Sequence, residues 1–216
     1  MLEAFLPTLV TLLVLVDPIA IVPIFIALTP GMDSVQRRRI AIRAVITATA
    51  ILVVFALAGA EILKLFGIGL PAFRVSGGLM LMLIAIEMLF EKRSQRRSNA
   101  AMHAHESDHP QESDPSIFPL ALPLLAGPGA IATVILLMNR SGEDWGARAV
   151  VLAALATAMA LTMVFLLLSS SLARHISPTA VNLLTRILGV ILGALAVQFM
   201  LDGLAEFGVF TRAAAS

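Results

Sequence analysis

Asp17 is the one carboxylic acid near the middle of an apolar run in this chain. It stands directly before a proline in the segment "LVDPIAIVP", residues 15–23. A carboxyl group in that setting has three possible uses. It can cap a helix that restarts at Pro18, accepting a hydrogen bond from the amide of Ala20 or Ile21. It can carry a proton, or it can pair with the ammonium group of a solute. An ionisable side chain at the centre of a membrane helix costs about 2.5–3.5 kcal/mol on insertion scales, so one of these uses must offset that cost. The capping and functional readings are compatible. A second interruption, "AGPGA" at residues 126–130, has Gly127 where the first has Asp17, again directly before a proline, Pro128.

Proline suits the first position of a helix because its missing N–H would lack a partner there anyway. Both segments therefore predict a helix that stops and starts again. Inside a bilayer, the freed backbone amides are tolerated only where they line a cavity or bind something. The N-terminal ends of two restarted helices carry partial positive charge and suit an anionic group such as a carboxylate. The expected binding residues are Asp17, Pro18, Ile19 and Ala20 in the first half, with Gly127, Pro128, Gly129 and Ala130 in the second. The amides of Ile19, Ala20, Gly129 and Ala130 would face the carboxylate, and Asp17 would serve the ammonium or a coupling proton. Gly127 and Gly129 have no Cβ to obstruct a ligand that approaches the backbone.

The rest of the chain explains why these residues should lie in a membrane. Of 216 residues, 59% are hydrophobic and 13% charged, about half the charged share of a typical soluble domain. The mean hydropathy is +0.95. The broad class is therefore integral membrane protein. A net charge of +1 gives no basis for nucleic-acid binding, and the absence of cysteine excludes thiol chemistry. The opening "MLEAF" lacks the basic stretch of a cleaved signal peptide and is expected to begin a membrane helix. Apolar runs long enough to span a bilayer lie near residues 5–28, 44–66, 71–90, 117–139, 147–171 and 184–205. The reading is an all-α polytopic protein with a first three-helix unit at 1–90, a polar loop at 91–116 and a second three-helix unit at 117–216. Pro7, Pro119 and Pro123 are expected near helix entries or at simple kinks.

The two units resemble each other. Pro18–Ile21 aligns with Pro128–Ile131, "RAV" at Arg43 with "RAV" at Arg148, "RVSG" at Arg74 with "RILG" at Arg186, and "AIEM" at Ala85 with "AVQF" at Ala196. An odd number of helices per unit means that the second copy enters the membrane from the opposite side. Such inverted repeats, with broken first and fourth helices, are a feature of secondary transporters. Glu87 and Gln198 match across the repeats and are candidates for interhelical hydrogen bonds or gates. Gly77, Gly78, Gly189 and Gly193 predict close helix approach, within the fold or between subunits. Glu61 and Lys64 are spaced to pair at a helix end.

No nucleophile–base constellation is visible, so no enzyme activity and no cofactor or resident metal is expected. His103, His105 and His109 in the polar loop could bind a divalent metal, which leaves a metal-ion exporter as an alternative class and a non-transporting membrane scaffold as another.

The segments "VDPIAIVPIF", "PLALPLLAGPGAI" and "RILGVILGALAVQFMLDG" resemble the MarC family of bacterial inner-membrane proteins, which includes the SnatA-type small neutral amino acid transporters. The resemblance covers nearly the whole chain except the polar loop and tail. It implies transport of glycine, alanine or similar solutes, coupled to protons, in the inner membrane. The family carries glycine where this chain has Ala20, which adds a methyl group beside the expected cavity.

Ten of the 15 Lys and Arg residues fall in the first, third and fifth connections: Arg37, Arg38, Arg39, Arg43, Lys92, Arg93, Arg96, Arg97, Arg174 and Arg186. By the positive-inside rule those connections face the cytoplasm and both termini face the periplasm. With no native cysteine, single cysteines report topology cleanly. A cysteine replacing Ser98 should react with a membrane-impermeant maleimide only in opened cells, and one replacing Ser216 should react in intact cells. The reverse pattern would overturn the orientation.

Overall fold

The structure, a computed structural model, describes residues 2–90, 115–169 and 178–207. The elements are α1 (Leu2–Val16), α2 (Pro18–Leu28), α3 (Ser34–Leu65), α4 (Leu70–Leu89), α5 (Ser116–Leu125), α6 (Pro128–Arg140), α7 (Trp145–Leu167) and α8 (Pro178–Glu206). The polar segment 91–114, with its three histidines, and the tail 208–216 lie outside the described residues. The protein is an all-α polytopic membrane protein. Among the described residues five stretches are long and apolar enough to cross a bilayer, and α5 with α6, bent by 56° at their junction, make a sixth if the pair is one span.

Several boundaries depart from the hydropathy pattern. α3 begins at Ser34, ten residues before the expected 44, so Arg37–Arg39 lie in its first turns and not in a loop. Hydropathy marks where a chain meets lipid, whereas the helix start is set by its cap. Asp33 Oδ1 accepts from the Gln36 amide at 2.7 Å, and Gln36 Oε1 accepts from the Asp33 amide at 3.3 Å. A helix of 32 residues is about 48 Å long and exceeds the apolar core of a bilayer, so its charged first turns extend beyond it. Arg37 then reaches back to donate from Nε and Nη2 to the Thr29 carbonyl at the end of α2. α8 likewise begins at Pro178, ahead of the expected 184.

The first span is the central post. Within the most apolar part of Ala4–Leu28, 67% is buried by the rest of the chain, against 17% for Thr179–Glu206, so α1 and α2 are wrapped while α8 faces lipid. The large cluster around Leu12, Val16, Ile21 and Phe25 joins this post to α3, α5, α6 and α7. A smaller cluster joins Val14 and Leu15 to Leu81, Ala85 and Met88 of α4 and to Leu192, Ala196 and Phe199 of α8.

α4 and α8 pack as an antiparallel pair through their glycines. A Cβ added at Gly78 would lie 2.7 Å from the Ala196 carbonyl oxygen, and one at Gly189 would lie 3.2 Å from that of Ala85. The "GVILG" spacing thus serves contact within the chain: Gly193 also meets Ala85. One end of the bundle is closed by ion pairs, Arg74 to Glu206 at 2.6 Å and Arg140 to Asp202 at 2.7 Å. Lys64 pairs with Glu61 at 2.7 Å, as their spacing predicts, and both are well exposed.

The glycine contacts rank three substitutions. Gly78→Ala forces a methyl group onto backbone atoms that cannot step aside, and overpacking of that kind costs about 1–3 kcal/mol. Gly193→Ala meets only the Ala85 Cβ at an ordinary 3.7 Å. Melting temperatures of the purified proteins should fall clearly for Gly78→Ala, less for Gly189→Ala and least for Gly193→Ala. Equal melting temperatures would show that the α4–α8 contact is looser than described.

Candidate functional site

Asp17 interrupts the first span with a single residue in the left-handed region, at φ 55° and ψ 65°. That conformation costs an ordinary residue about 1–2 kcal/mol, and Asp tolerates it better than most because its short side chain bonds locally. Here the side chain does so. Asp17 Oδ1 accepts from the Ala20 amide at 3.4 Å, and the group is only 3% exposed. The capping role expected from the sequence is therefore realised, on the Ala20 amide, while the Ile21 amide bonds to the Asp17 carbonyl at 3.2 Å. The Asp17 amide itself donates to the Leu13 carbonyl at 2.8 Å. Because bonds continue on both sides of the break, α1 and α2 still count as one span of 25 residues.

The second interruption differs. Gly127 precedes Pro128 with extended backbone, φ −75° and ψ 165°, and offers no side-chain cap. The Ile131 amide bonds to the Gly127 carbonyl at 3.0 Å. The Gly129 and Ala130 amides precede that first helical bond and belong to the turn whose donors have no partner within a helix. Gly127 is required by its own neighbourhood, since an added Cβ would lie 2.7 Å from the Pro123 carbonyl oxygen. Upstream, α5 is not the regular helix expected before the break. It is irregular, with extended backbone at Phe118 and Leu122 and a cis peptide bond from each to the proline that follows. Each of these precedes a proline, Pro119 or Pro123, and the proline ring pushes its predecessor out of helical geometry. These prolines are thus part of the irregular segment, not simple kinks.

The two interruptions lie side by side. A Cβ added at Gly129 would lie 3.8 Å from Leu15 Cδ2, two residues before Asp17, and 3.6 Å from Leu81 Cδ2, with Ile84 Cδ1 nearer still. All eight expected residues fall in the caps and first turns of α2 and α6, and of these Ala20 has its amide bonded to Asp17 Oδ1. In this conformation the bare face of Gly129 is covered by apolar side-chain ends from α4 and α1. Pro18, Ala20, Gly129 and Ala130 are buried, Ile19 and Gly127 are partly buried, and Pro128 is exposed.

Glu87 and Gln198 are not brought to one place. In the antiparallel pair, Glu87 sits at the level of Gly189 and Gln198 at the level of Gly78, about 13 Å apart at 1.5 Å per residue. Gln198 is exposed and bonds within its own helix, donating from Nε2 to Asp202 Oδ1 at 2.7 Å, which replaces the interhelical bond expected of it. Sequence reading missed Thr133, one turn beyond Gly129 and fully buried. A lone threonine in an apolar run carries no local signal.

An all-α bundle of five to six candidate spans, with a buried acid before one of its two proline-started helices, defines a polytopic membrane protein. The chain belongs to the MarC family of integral membrane proteins, whose match covers residues 2–207. It is 38% identical over 191 residues to a UPF0056 membrane protein of Methanocaldococcus jannaschii, covering 88% of this chain and 90% of that one. It is 36% identical over 195 residues to the UPF0056 membrane protein YvbG of Bacillus subtilis, covering 90% and 91%. It is 35% identical over 195 residues to the UPF0056 inner membrane protein YhgN of Escherichia coli K12, covering 90% and 93%. No solved structure matches the chain.

The neighbours of the two glycines predict different costs for one methyl group. Gly127→Ala drives a Cβ into the Pro123 carbonyl, a backbone atom, whereas Gly129→Ala meets the flexible end of Ile84. Gly127→Ala should lower the melting temperature by the equivalent of about 1–3 kcal/mol. Gly129→Ala should change it less, because alanine regains up to about 1 kcal/mol of helix propensity. A larger loss at Gly129 would mean that Ile84 is rigidly held.

Proposed function

We propose that this protein is a proton-coupled secondary transporter of small neutral amino acids of the glycine and alanine type. The observation that carries the reading is the asymmetry of the two restarted helices. α2 begins under a carboxylate of the chain, Asp17, while the adjacent α6 begins with no side-chain cap. A helix start without its anion suits the carboxylate of a solute, held by the Gly129 and Ala130 amides. Asp17, two residues beyond the Leu15 that borders Gly129, would serve the ammonium group or the coupling proton. Compactness of the solute follows from the apolar side chains of Leu15, Leu81 and Ile84 that border Gly129.

The same reading includes two inverted three-helix repeats. It is supported by a reciprocal contact: exchanging the halves at a spacing of 111 residues turns Gly78 facing the Ala196 carbonyl into Gly189 facing that of Ala85, and both contacts are present. Alternating access would then rock one repeat against the other around the breaks. Glu87 and Gln198, toward opposite ends of the α4–α8 pair, would act at the two gates. The cytoplasmic placement of the arginine-rich start of α3 and an inner-membrane location complete the reading. YhgN, the relative in Escherichia coli, is named an inner membrane protein.

The test separates capping from charge. Asn can cap α2 as Asp17 does but carries no proton. Asp17→Asn should insert and fold, and should lose proton-driven accumulation of glycine or alanine in proteoliposomes by about 10-fold or more. Unchanged gradient-driven uptake would leave Asp17 as a cap alone.

A further inference from the structure

We propose that Thr133 is a solute-contacting residue. Its hydroxyl and the bare backbone of Gly129, one turn earlier, would form a polar notch on α6 that Ile84 fills in the present conformation. This rests on the reading of the broken helices as a solute site. Thr133 is fully buried, and its Oγ1 has no hydrogen-bond partner among the described residues. Six other threonines, three of them buried, show the alternative. Thr8, Thr11, Thr29, Thr49, Thr157 and Thr162 each donate to the carbonyl four residues back, at 2.7–2.9 Å. That bond is the ordinary way for a hydroxyl to be satisfied inside an apolar helix. Thr133 could make it with the Gly129 carbonyl and does not, although a buried hydroxyl without a partner is unfavourable.

The placement of Thr133 gives the hydroxyl a use. Residues four apart share one face of a helix, and a helical side chain leans over the turn on its N-terminal side. Thr133 therefore covers the turn that starts at Gly129, where the amides without a side-chain cap lie. What covers Gly129 now is Ile84 Cδ1, then the Cδ2 atoms of Leu81 and Leu15, all ends of flexible side chains. Rotation of Ile84 would open the notch without moving backbone. A carboxylate held by the Gly129 and Ala130 amides would accept a third hydrogen bond from Thr133 Oγ1. The hydroxyl left without a partner here would be satisfied only with solute bound. The ligand class is a compact solute bearing a carboxylate, with a small apolar side chain against Ile84.

Thr133→Val keeps the shape and removes the hydroxyl, so its effects on stability and on function should have opposite signs. The melting temperature should rise, because an unpaired buried polar group is lost, while the KM for alanine uptake in proteoliposomes should rise about 10-fold or more. Thr133→Ser should restore the KM. Ile84→Ala should widen the notch and let larger neutral amino acids compete with alanine. A raised melting temperature with an unchanged KM in Thr133→Val would overturn the assignment and leave the broken-helix site standing. Should Thr133→Val fail to insert, Ile84→Ala decides, and unchanged selectivity would overturn the notch. The wild-type protein is measured first. If it neither binds nor accumulates glycine or alanine, the transport reading falls and the notch with it.

Discussion

Inside a bilayer no water is present to satisfy a backbone amide or carbonyl, so every break in a helix must be completed by the chain itself or by what it binds. The rest of this structure is arranged around that constraint at Asp17. Its amide, carbonyl and carboxylate bond to Leu13, Ile21 and Ala20 in turn, and together they carry the chain from α1 into α2 through one left-handed residue. The repair is local and is placed in the most buried of the five continuous spans among the described residues. α6, whose start lies beside it, has the same proline entry but no side chain to complete the turn. The contrast between a start that is capped and one that is not is what gives the centre of the bundle a chemical direction.

The glycine-lined contact between α4 and α8 determines what covers that centre. Gly78 and Gly189 let the two helices approach until backbone meets backbone, and ion pairs from Arg74 and Arg140 to Glu206 and Asp202 fix one end. α4 also touches α6, where Gly77 receives Leu136 and Ala132. The same helix that is locked to α8 thus delivers Leu81 and Ile84 to Gly129. A movement of the α4–α8 pair would change the cover over the start of α6 directly, with no longer chain of contacts required. Packed interfaces of this kind have a few discrete arrangements and do not deform smoothly, which suits a protein proposed to alternate between two accesses.

Charge follows the same economy. Most of the basic residues stand in the connections read as cytoplasmic. Arg37, among them, holds the end of α2 through the Thr29 carbonyl. Of the basic residues at the other end, Lys64, Arg74 and Arg140 are each bonded to an acid. Cations that staple helices are therefore found at both ends, and all read alike as Lys and Arg in the sequence.

The sequence by itself determined the spans, the two interruptions and the capping role of Asp17. These rest on rules that act within a few residues: apolar length against bilayer thickness, a proline without an N–H, a carboxylate three residues from an amide. It also carried the pairing of Glu61 with Lys64, one turn apart. Helix starts at Ser34 and Pro178 were misjudged, because hydropathy reports contact with lipid and not hydrogen bonding. The winding of α5 was hidden too, since two prolines four residues apart fit kinks as well as an irregular turn. Only the tertiary structure decided that the GxxxG-spaced glycines bind α4 to α8 within one chain, that Gln198 turns to Asp202, that Ile84 covers Gly129, and that Thr133 keeps a hydroxyl without a partner among the described residues. Each of these depends on which side chain of a distant helix arrives at a given face. That is set by packing across the bundle, and no local pattern encodes it.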